Sequence, residues 1–214
     1  MAEHSLILKN LRISLAGDTL LDIDAEVAPG EVLAVMGPSG SGKSTLLNAI
    51  SGFLSPRFSC HGQIILDGQD ITHEDPSRRK IGLMFQEPLL FPHMSVEENL
   101  LFALPRGGSK QERCEKVREK LRAVHLEDLG ARDPLTLSGG QQSRIALMRV
   151  LLSKPKALLL DEPFSALDVE LRDRVRTFVF GLAQQNNLPV VLVTHDKADA
   201  VAAKAQIINL LNHK

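Results

Sequence analysis

Residues Gly37-Pro38-Ser39-Gly40-Ser41-Gly42-Lys43-Ser44-Thr45 are suited to wrapping an anion. Gly37, Gly42, Lys43 and Ser44 satisfy the pattern G-x-x-x-x-G-K-[ST]. Glycines let the backbone turn its N–H groups inward around phosphate oxygens. Lys43 brings a cation to β and γ phosphates, and Ser44 offers a hydroxyl to Mg²⁺. A helix expected over Thr45–Ile50 aims its positive end at the same charge. The pattern arises by chance in about one chain in a hundred of this length. Here it follows an apolar run and opens a helical one, the context that marks a nucleotide-phosphate site.

Two further stretches carry chemistry. Ala157-Leu158-Leu159-Leu160-Asp161-Glu162-Pro163 ends an apolar run in two carboxylates. Asp161, aimed at the phosphates, is a partner for Mg²⁺, and Glu162 is the candidate that polarises an attacking water. By itself Asp-Glu-Pro reads equally well as a polar exit into a turn; beside a phosphate loop the chemical reading is preferred. Leu137-Ser138-Gly139-Gly140-Gln141 places a hydroxyl and bare N–H groups at a helix start, a second anion cradle. Ser-Gly-Gly alone would be an N-cap serine in a flexible loop, but the whole pentapeptide has a chance frequency of order one in several thousand such chains.

The elements that must position these residues are legible in the apolar pattern. Val32-Leu33-Ala34-Val35-Met36, Ala157–Leu160 and Val190-Val191-Leu192-Val193 are unbroken apolar runs, as expected of strands buried on both faces. Residues of chemical interest follow each: Gly37, Asp161 and His195. Open parallel sheets gather ligands at the carboxyl ends of their strands, so the three runs predict an α/β core with one reactive edge. Leu6–Leu8, Leu11–Leu15 and the alternation of Leu21, Ile23, Ala25 and Val27 with Asp22, Asp24 and Glu26 predict an antiparallel layer with one face in water. Pro29-Gly30 is the turn after it. Between about Pro88 and Pro155 no such run occurs. Val96–Ala103, Gln111–Val124 and Gly140–Leu152 carry helical spacing, interrupted by Pro105–Ser109.

Composition sets the outer bounds. The 214 residues, 43% hydrophobic and 24% charged, suit one generous globular domain and exclude a disordered or collagen-like chain. Lys+Arg 25 against Asp+Glu 26 leaves a formal charge of −1, which argues against a nucleic-acid partner held by bulk electrostatics. Cys60 and Cys114 lack metal or redox spacing and read as inert thiols, and His61 beside Cys60 has no second ligand pair. Met1–Ser5 shows no basic start followed by an apolar run, and no segment reaches the length of a membrane span.

With Leu137–Gln141 in place, the chain resembles the ATP-binding subunits of ABC transporters, and the resemblance covers nearly all 214 residues. It implies a P-loop NTPase (RecA-like) core with an antiparallel β layer and an inserted helical subdomain. Residues 1–87 and 156–214 would form the α/β core, and 88–155 the helical subdomain. In that family's terms Gly37–Thr45 is the Walker A loop and Gln86, in Phe85-Gln86-Glu87-Pro88, is the Q-loop glutamine. Leu137–Gln141 is the signature, Asp161 and Glu162 close Walker B, Ser165-Ala166-Leu167-Asp168 is the D-loop, and His195 in Thr194-His195-Asp196 is the switch histidine.

The resemblance implies catalytic roles for Glu162, His195 and Gln86. It implies Mg²⁺ held by Ser44 and Asp161 with Gln86 sensing it, and ATP held by residues 37–45 of one subunit and Ser138, Gly139, Gly140 and Gln141 of another. The implied unit is a homodimer with two ATPs, in which Asp168 communicates between the subunits. Leu90–Leu100 looks like the segment of bacterial importer ATPases that lies against a coupling helix of the permease. The expected partners are therefore permease subunits and a separate solute-binding protein, and the expected location is peripheral, on the cytoplasmic face of the bacterial inner membrane. An exporter ATPase and a soluble clamp are the alternatives, although clamps usually carry two cassettes or long insertions.

Two departures stand out. Family members stack adenine on an aromatic residue a dozen or so positions before Gly30, where this chain has Ile13–Asp18. It contains no Tyr or Trp. Leu15 and its neighbours are expected to offer an aliphatic platform, and nucleotide binding to be weaker or less base-selective. The sequence also stops shortly after Ile207–Leu211, so no appended regulatory domain is expected.

Overall fold

The structure, a computed structural model, describes residues 5–210. Met1–His4 and Leu211, on which the expectations about a leader and the chain end partly rest, lie outside the described residues. The strands are β1 Leu6–Leu15, β2 Asp18–Val27, β3 Val32–Met36, β4 Phe58–Leu66, β5 Gln69–Asp70, β6 Ile81–Met84, β7 Ala157–Asp161, β8 Val190–Val193 and β9 Gln206–Asn209. The helices are α1 Lys43–Ser51, α2 Val96–Ala103, α3 Lys110–Ala123, α4 Gly139–Leu152, α5 Val169–Gln185 and α6 Lys197–Ala202.

Strands β6-β7-β8-β3-β9 form one sheet in which every pairing is parallel. The three apolar runs are its central strands, and every residue of β3, β7 and β8 is buried. Burial on both faces is visible residue by residue in β7. Leu158 and Leu160 pack with Val175 and Val179 of α5 and with α4. Ala157 and Leu159 pack with Leu46 and Ile50 of α1 and with the second sheet.

That second sheet, β2-β1-β4-β5, is antiparallel throughout. Its pleat puts Leu21, Ile23, Ala25 and Val27 inside and Asp22, Asp24 and Glu26 in water, as the alternation implies. Helix α1 lies between the two sheets, sharing the core with Leu6, Leu8, Leu11 and Ile13 of β1.

Among the described residues from 88 to 155 there are three α-helices and no strand. Each begins with the same device. Ser95, Ser109 and Ser138 accept from the backbone N–H three residues on, while Glu98, Glu112 and Gln141 accept from the backbone N–H of the serine. Such boxes satisfy two orphan donors per helix start, and losing the serine alone typically costs about 1 kcal/mol. They also fix the boundaries: α3 and α4 each start one residue before their apolar spacing does. Met84 on β6 joins the cluster formed by Leu100 of α2, Leu121 of α3 and Met148 of α4, so this helical layer is continuous with the parallel sheet.

The two-sided burial of β7 makes a checkable distinction. Leu159→Ala and Leu160→Ala, adjacent residues facing opposite cores, should each cost about 2–5 kcal/mol in urea denaturation. Glu26→Ala on the one-sided strand β2 should stay within about 0.5 kcal/mol. A neutral effect at either leucine would show that one face of the sheet is not packed as described.

Candidate functional site

Four parallel strands deliver the site. β3 runs into the phosphate loop and α1, β6 ends two residues before Gln86, β7 ends in Asp161, and β8 leads through Thr194 to His195. Their carboxyl ends border one cavity of about 710 Å³. Its walls include Ser39, Gly40, Gly42, Lys43, Ser44 and Thr45 together with Gln86, Asp161, Glu162 and His195. Residues from four separate segments thus meet at a single sheet edge.

The loop is built to hold something it does not supply. No side chain caps α1, whose N-cap Gly42 sits at φ 88°, a left-handed conformation natural to glycine. A Cβ on Gly37 would lie 2.7 Å from the Leu210 carbonyl oxygen and 2.8 Å from Ser41 Oγ, so the loop closes only around a bare Cα. Ser41 Oγ is buried with no hydrogen-bond partner, an orphan that a phosphate oxygen would satisfy. Lys43 Nζ donates to the carbonyls of Gly37 at 2.9 Å and Pro38 at 2.8 Å, folding back over its own loop.

Ser44 Oγ donates to Asp161 Oδ2 at 2.8 Å. Burial pushes the Asp161 carboxyl above its usual range, the Ser44 hydroxyl draws it back, the charge of Glu162 raises it and Lys43 lowers it. A hydroxyl and one desolvated carboxylate beside a phosphate cradle are a fitting donor set for Mg²⁺. That ion keeps several waters and takes its remaining oxygens from substrate phosphates.

Glu162 leaves β7 with φ 46°, a left-handed conformation that is strained for a side-chain-bearing residue and costs of order 1–3 kcal/mol. The following Pro163 disfavours the right-handed alternative. The turn is pinned on both sides: the Glu162 N–H donates to the Val193 carbonyl at 2.9 Å, and Ser165 Oγ donates to the Glu162 carbonyl at 2.9 Å. Its carboxylate is thereby directed to His195, whose Nδ1 lies 3.2 Å from Glu162 Oε1. His195 is otherwise open, with 68% of its side chain exposed. Gln86 is exposed at the rim.

The second cradle stands apart. Ser138, Gly139, Gly140 and Gln141 are not among the residues that line the phosphate cavity. Ser138 Oγ accepts from the Gln141 N–H at 3.3 Å, and Gln141 Oε1 accepts from the Ser138 N–H at 2.9 Å, so both side chains are engaged in capping α4. Gly139 faces open space, whereas a Cβ on Gly140 would lie 3.0 Å from the Ala166 carbonyl oxygen. The helix start therefore rests on the 165–168 segment, whose Asp168 caps α5 by accepting from Leu171 N–H at 3.0 Å.

One expectation is corrected at the other end of the cavity. The wall beyond the phosphate loop is not only aliphatic. Leu15 and Leu20 are joined there by Phe58, which pairs with Leu15 across the β1–β4 ladder. The Arg57 guanidinium carbon lies 5.0 Å from the Phe58 ring centroid. Phe58 is distant from Leu15 in the chain, and only the antiparallel register brings it to this edge.

The sequence and the structure both have close relatives. The ABC transporter family profile matches residues 20–165. An uncharacterized ABC transporter ATP-binding protein, YnjD, of Escherichia coli (strain K12) is 45% identical over 96% of this chain and 94% of its own length. The sulfate/thiosulfate import ATP-binding protein CysA of Synechocystis sp. is 43% identical over 98% of this chain, which spans only 59% of that longer protein. In structure, the ATP-binding cassette MJ0796, in a dimeric post-hydrolysis state bound to ADP and Pi, superposes with a TM-score of 0.83 at 32% identity, covering 96% of this chain and 94% of the other.

The raised Asp161 carboxyl has a signed consequence. The free fold binds the proton more tightly than the unfolded chain, so ionising Asp161 works against stability at neutral pH. Asp161→Asn, measured without nucleotide and in EDTA, should raise the melting temperature at pH 7. The gain should vanish as pH falls below the unfolded carboxylate value of about 4. A variant less stable than the parent at pH 7 would contradict the desolvated placement.

Proposed function

This chain belongs to the ABC transporter ATP-binding family, and on that premise we infer that it is the ATP-hydrolysing subunit of a membrane importer. The observation that carries the reading is the pairing of a complete phosphate, metal and carboxylate site in one cavity with a second anion cradle outside it. A monomer leaves Ser138–Gln141 without an anion; a second copy would bring them onto the triphosphate held by residues 37–45. The dimeric, ADP- and Pi-bound relative supports that arrangement.

In the working dimer Lys43 leaves the Gly37 and Pro38 carbonyls for the β and γ phosphates. Ser44 and Asp161 hold Mg²⁺, with Gln86 at the rim as its sensor. Bound there, the ion would supply positive charge to offset the negative charge of the phosphate oxygens. Glu162 accepts the proton of a water whose oxygen attacks the γ phosphorus. The bond from that phosphorus to the bridging oxygen breaks, and ADP and inorganic phosphate result. His195, through Nδ1, keeps the Glu162 carboxylate and the γ phosphate in register. Asp168, at the start of α5 beside the signature helix, relays the state of one subunit to the other.

The importer assignment draws on the import relative and on the surface around Gln86. Phe85 and Leu89, one and three residues from Gln86 in the chain, are exposed apolar side chains, as is Phe102, whose ring lies 5.0 Å from that of Phe91, a fit for a permease helix. Asn99, fully buried, binds the backbone of Phe91, Met94 and Ser95 and stiffens the segment that would receive it. Permease subunits and a solute-binding protein complete the proposed system. No helix among the described residues is long and apolar enough to cross a membrane, which fits the proposed peripheral attachment to the cytoplasmic face of the inner membrane.

Glu162→Gln should retain ATP binding, lose at least about 100-fold in turnover and sediment as a dimer with ATP; vigorous steady-state hydrolysis would sink the base assignment. Lys43→Ala should lose ATP binding itself, and unchanged affinity would contradict the cradle. We further assign Phe58 with Leu15 as the platform for the base. Phe58→Ala should then weaken ATP binding roughly 5- to 150-fold, the equivalent of about 1–3 kcal/mol of base stacking, and narrow any preference over GTP. Equilibrium titration with both nucleotides checks this, and an unchanged ATP affinity would remove Phe58 from the site.

A further inference from the structure

His195 has little to hold it. Two thirds of its side chain is exposed, so its position is set by the backbone of the short Thr194–Asp196 link between β8 and α6. Behind that link lies a buried cluster of charge that the hydrolysis reading leaves unused. Thr194 Oγ1 donates to Asp199 Oδ2 at 2.5 Å and accepts from the Asp196 N–H at 3.1 Å. Asp196 Oδ1 accepts from the Ala198 N–H at 2.8 Å. The link is thus folded on itself around two carboxylates.

Both carboxylates converge on one cation from another element. Arg176 of α5, 5% exposed, donates through Nε to Asp199 Oδ1 at 2.6 Å and through Nη2 to Asp196 Oδ2 at 3.0 Å, and a further short contact joins Nη2 to Asp199. Asp199 is 4% exposed and Thr194 2%. The remaining guanidinium nitrogen donates to Asp173 at 2.9 Å, and Arg172 supports Asp196 at 3.2 Å. The Arg176 guanidinium also lies 5.9 Å from the ring of Phe164, two residues beyond Glu162. One planar fork therefore touches the segment that follows Glu162 and the link that carries His195. A cavity of about 350 Å³ is lined by both segments, among them Glu162 and Phe164 of the first and Thr194, His195 and Asp196 of the second.

Resting on the ATPase reading for its kinetic arm, we propose that Arg176 is a positioning residue that sets the approach of His195 to Glu162 through Asp196 and Asp199. A lysine there keeps the charge but loses the planar, multidentate fork whose Nε and Nη2 together grip Asp199 and Asp196. The link would keep its sequence and lose its register.

Arg176→Lys should lower kcat for ATP at least ten-fold while KM changes less than about two-fold. In a His195→Ala background the same change should lower kcat by less than two-fold, since it acts through that histidine. Independently of turnover, hydrogen exchange at the Asp196 and Ala198 amides should quicken at least ten-fold in Arg176→Lys while the amides of β3 are unaffected. An unchanged kcat, a loss that multiplies with that of His195→Ala, or unaltered exchange at those two amides would each overturn the proposal. Should Arg176→Lys melt below the assay temperature, Asp199→Asn, which keeps the side-chain shape and removes the charge that the fork grips through Nε, takes its place. The same fall in kcat and the same quickened exchange are expected of it, and the absence of either would overturn the proposal equally. A parent protein without ATPase activity would refute the hydrolysis reading, and the exchange experiment would then decide on Arg176 alone.

Discussion

A hydrogen bond of 2.8 Å from Ser44 to Asp161 joins parts of the chain 117 residues apart, and the site exists only because it can form. It requires β3 and β7 to lie in one parallel sheet with their carboxyl ends level, which in turn requires β8 between them and cores on both faces. The cost of that arrangement is carried at the bond itself. Asp161 is buried enough to resist ionisation, and its neighbour Glu162 is held in a left-handed turn. A desolvated carboxylate and a turn pinned by two hydrogen bonds thus meet at the strand end that borders the cavity.

The two segments proposed to hold the triphosphate are built by different means and lie in different layers. Residues 37–45 use a loop that closes on itself around Gly37 and leaves Ser41 Oγ unsatisfied. Residues 138–141 use a helix start whose capping box already satisfies Ser138 and Gln141 internally. The first is short of a ligand within the monomer and the second is content until one arrives. That asymmetry fits a machine in which nucleotide loads on the α/β core first and the helical layer of another copy closes over it.

How much of this could be read from residues alone follows from how local each signal is. Strands β3 and β8 and the first four residues of β7 are unbroken apolar runs bounded by polar residues, proline or glycine, and β2 alternates cleanly, so these segments stand out. Strand β6 has four residues with Gly82 among them, and β4 exposes much of its length, so neither announces itself. Helix α5 hides for another reason: one of its buried positions is Arg176, and a charge breaks the apolar stripe that would reveal the inward face. The chemistry was legible wherever it sat in consecutive residues, as in 37–45, 137–141 and 161–162. Phe58 meets Leu15, and Arg176 meets Asp196 and Asp199, across long stretches of sequence, by strand register in one case and by helix packing in the other. Their absence from a linear reading is a matter of geometry. The serine-to-glutamate spacing at Ser95 and Ser109 was a usable signal, since capping boxes are local and place α2 and α3 to the residue.

The most direct test of the two-cradle mechanism is a structure of the Glu162→Gln protein crystallised with ATP and Mg²⁺. Each triphosphate should lie between Lys43 of one protomer and Ser138 of the other, with the hydroxyl of Ser138 within hydrogen-bonding distance of the γ phosphate. Triphosphates contacted by a single chain, with Ser138 still occupied only by its own helix cap, would contradict the mechanism.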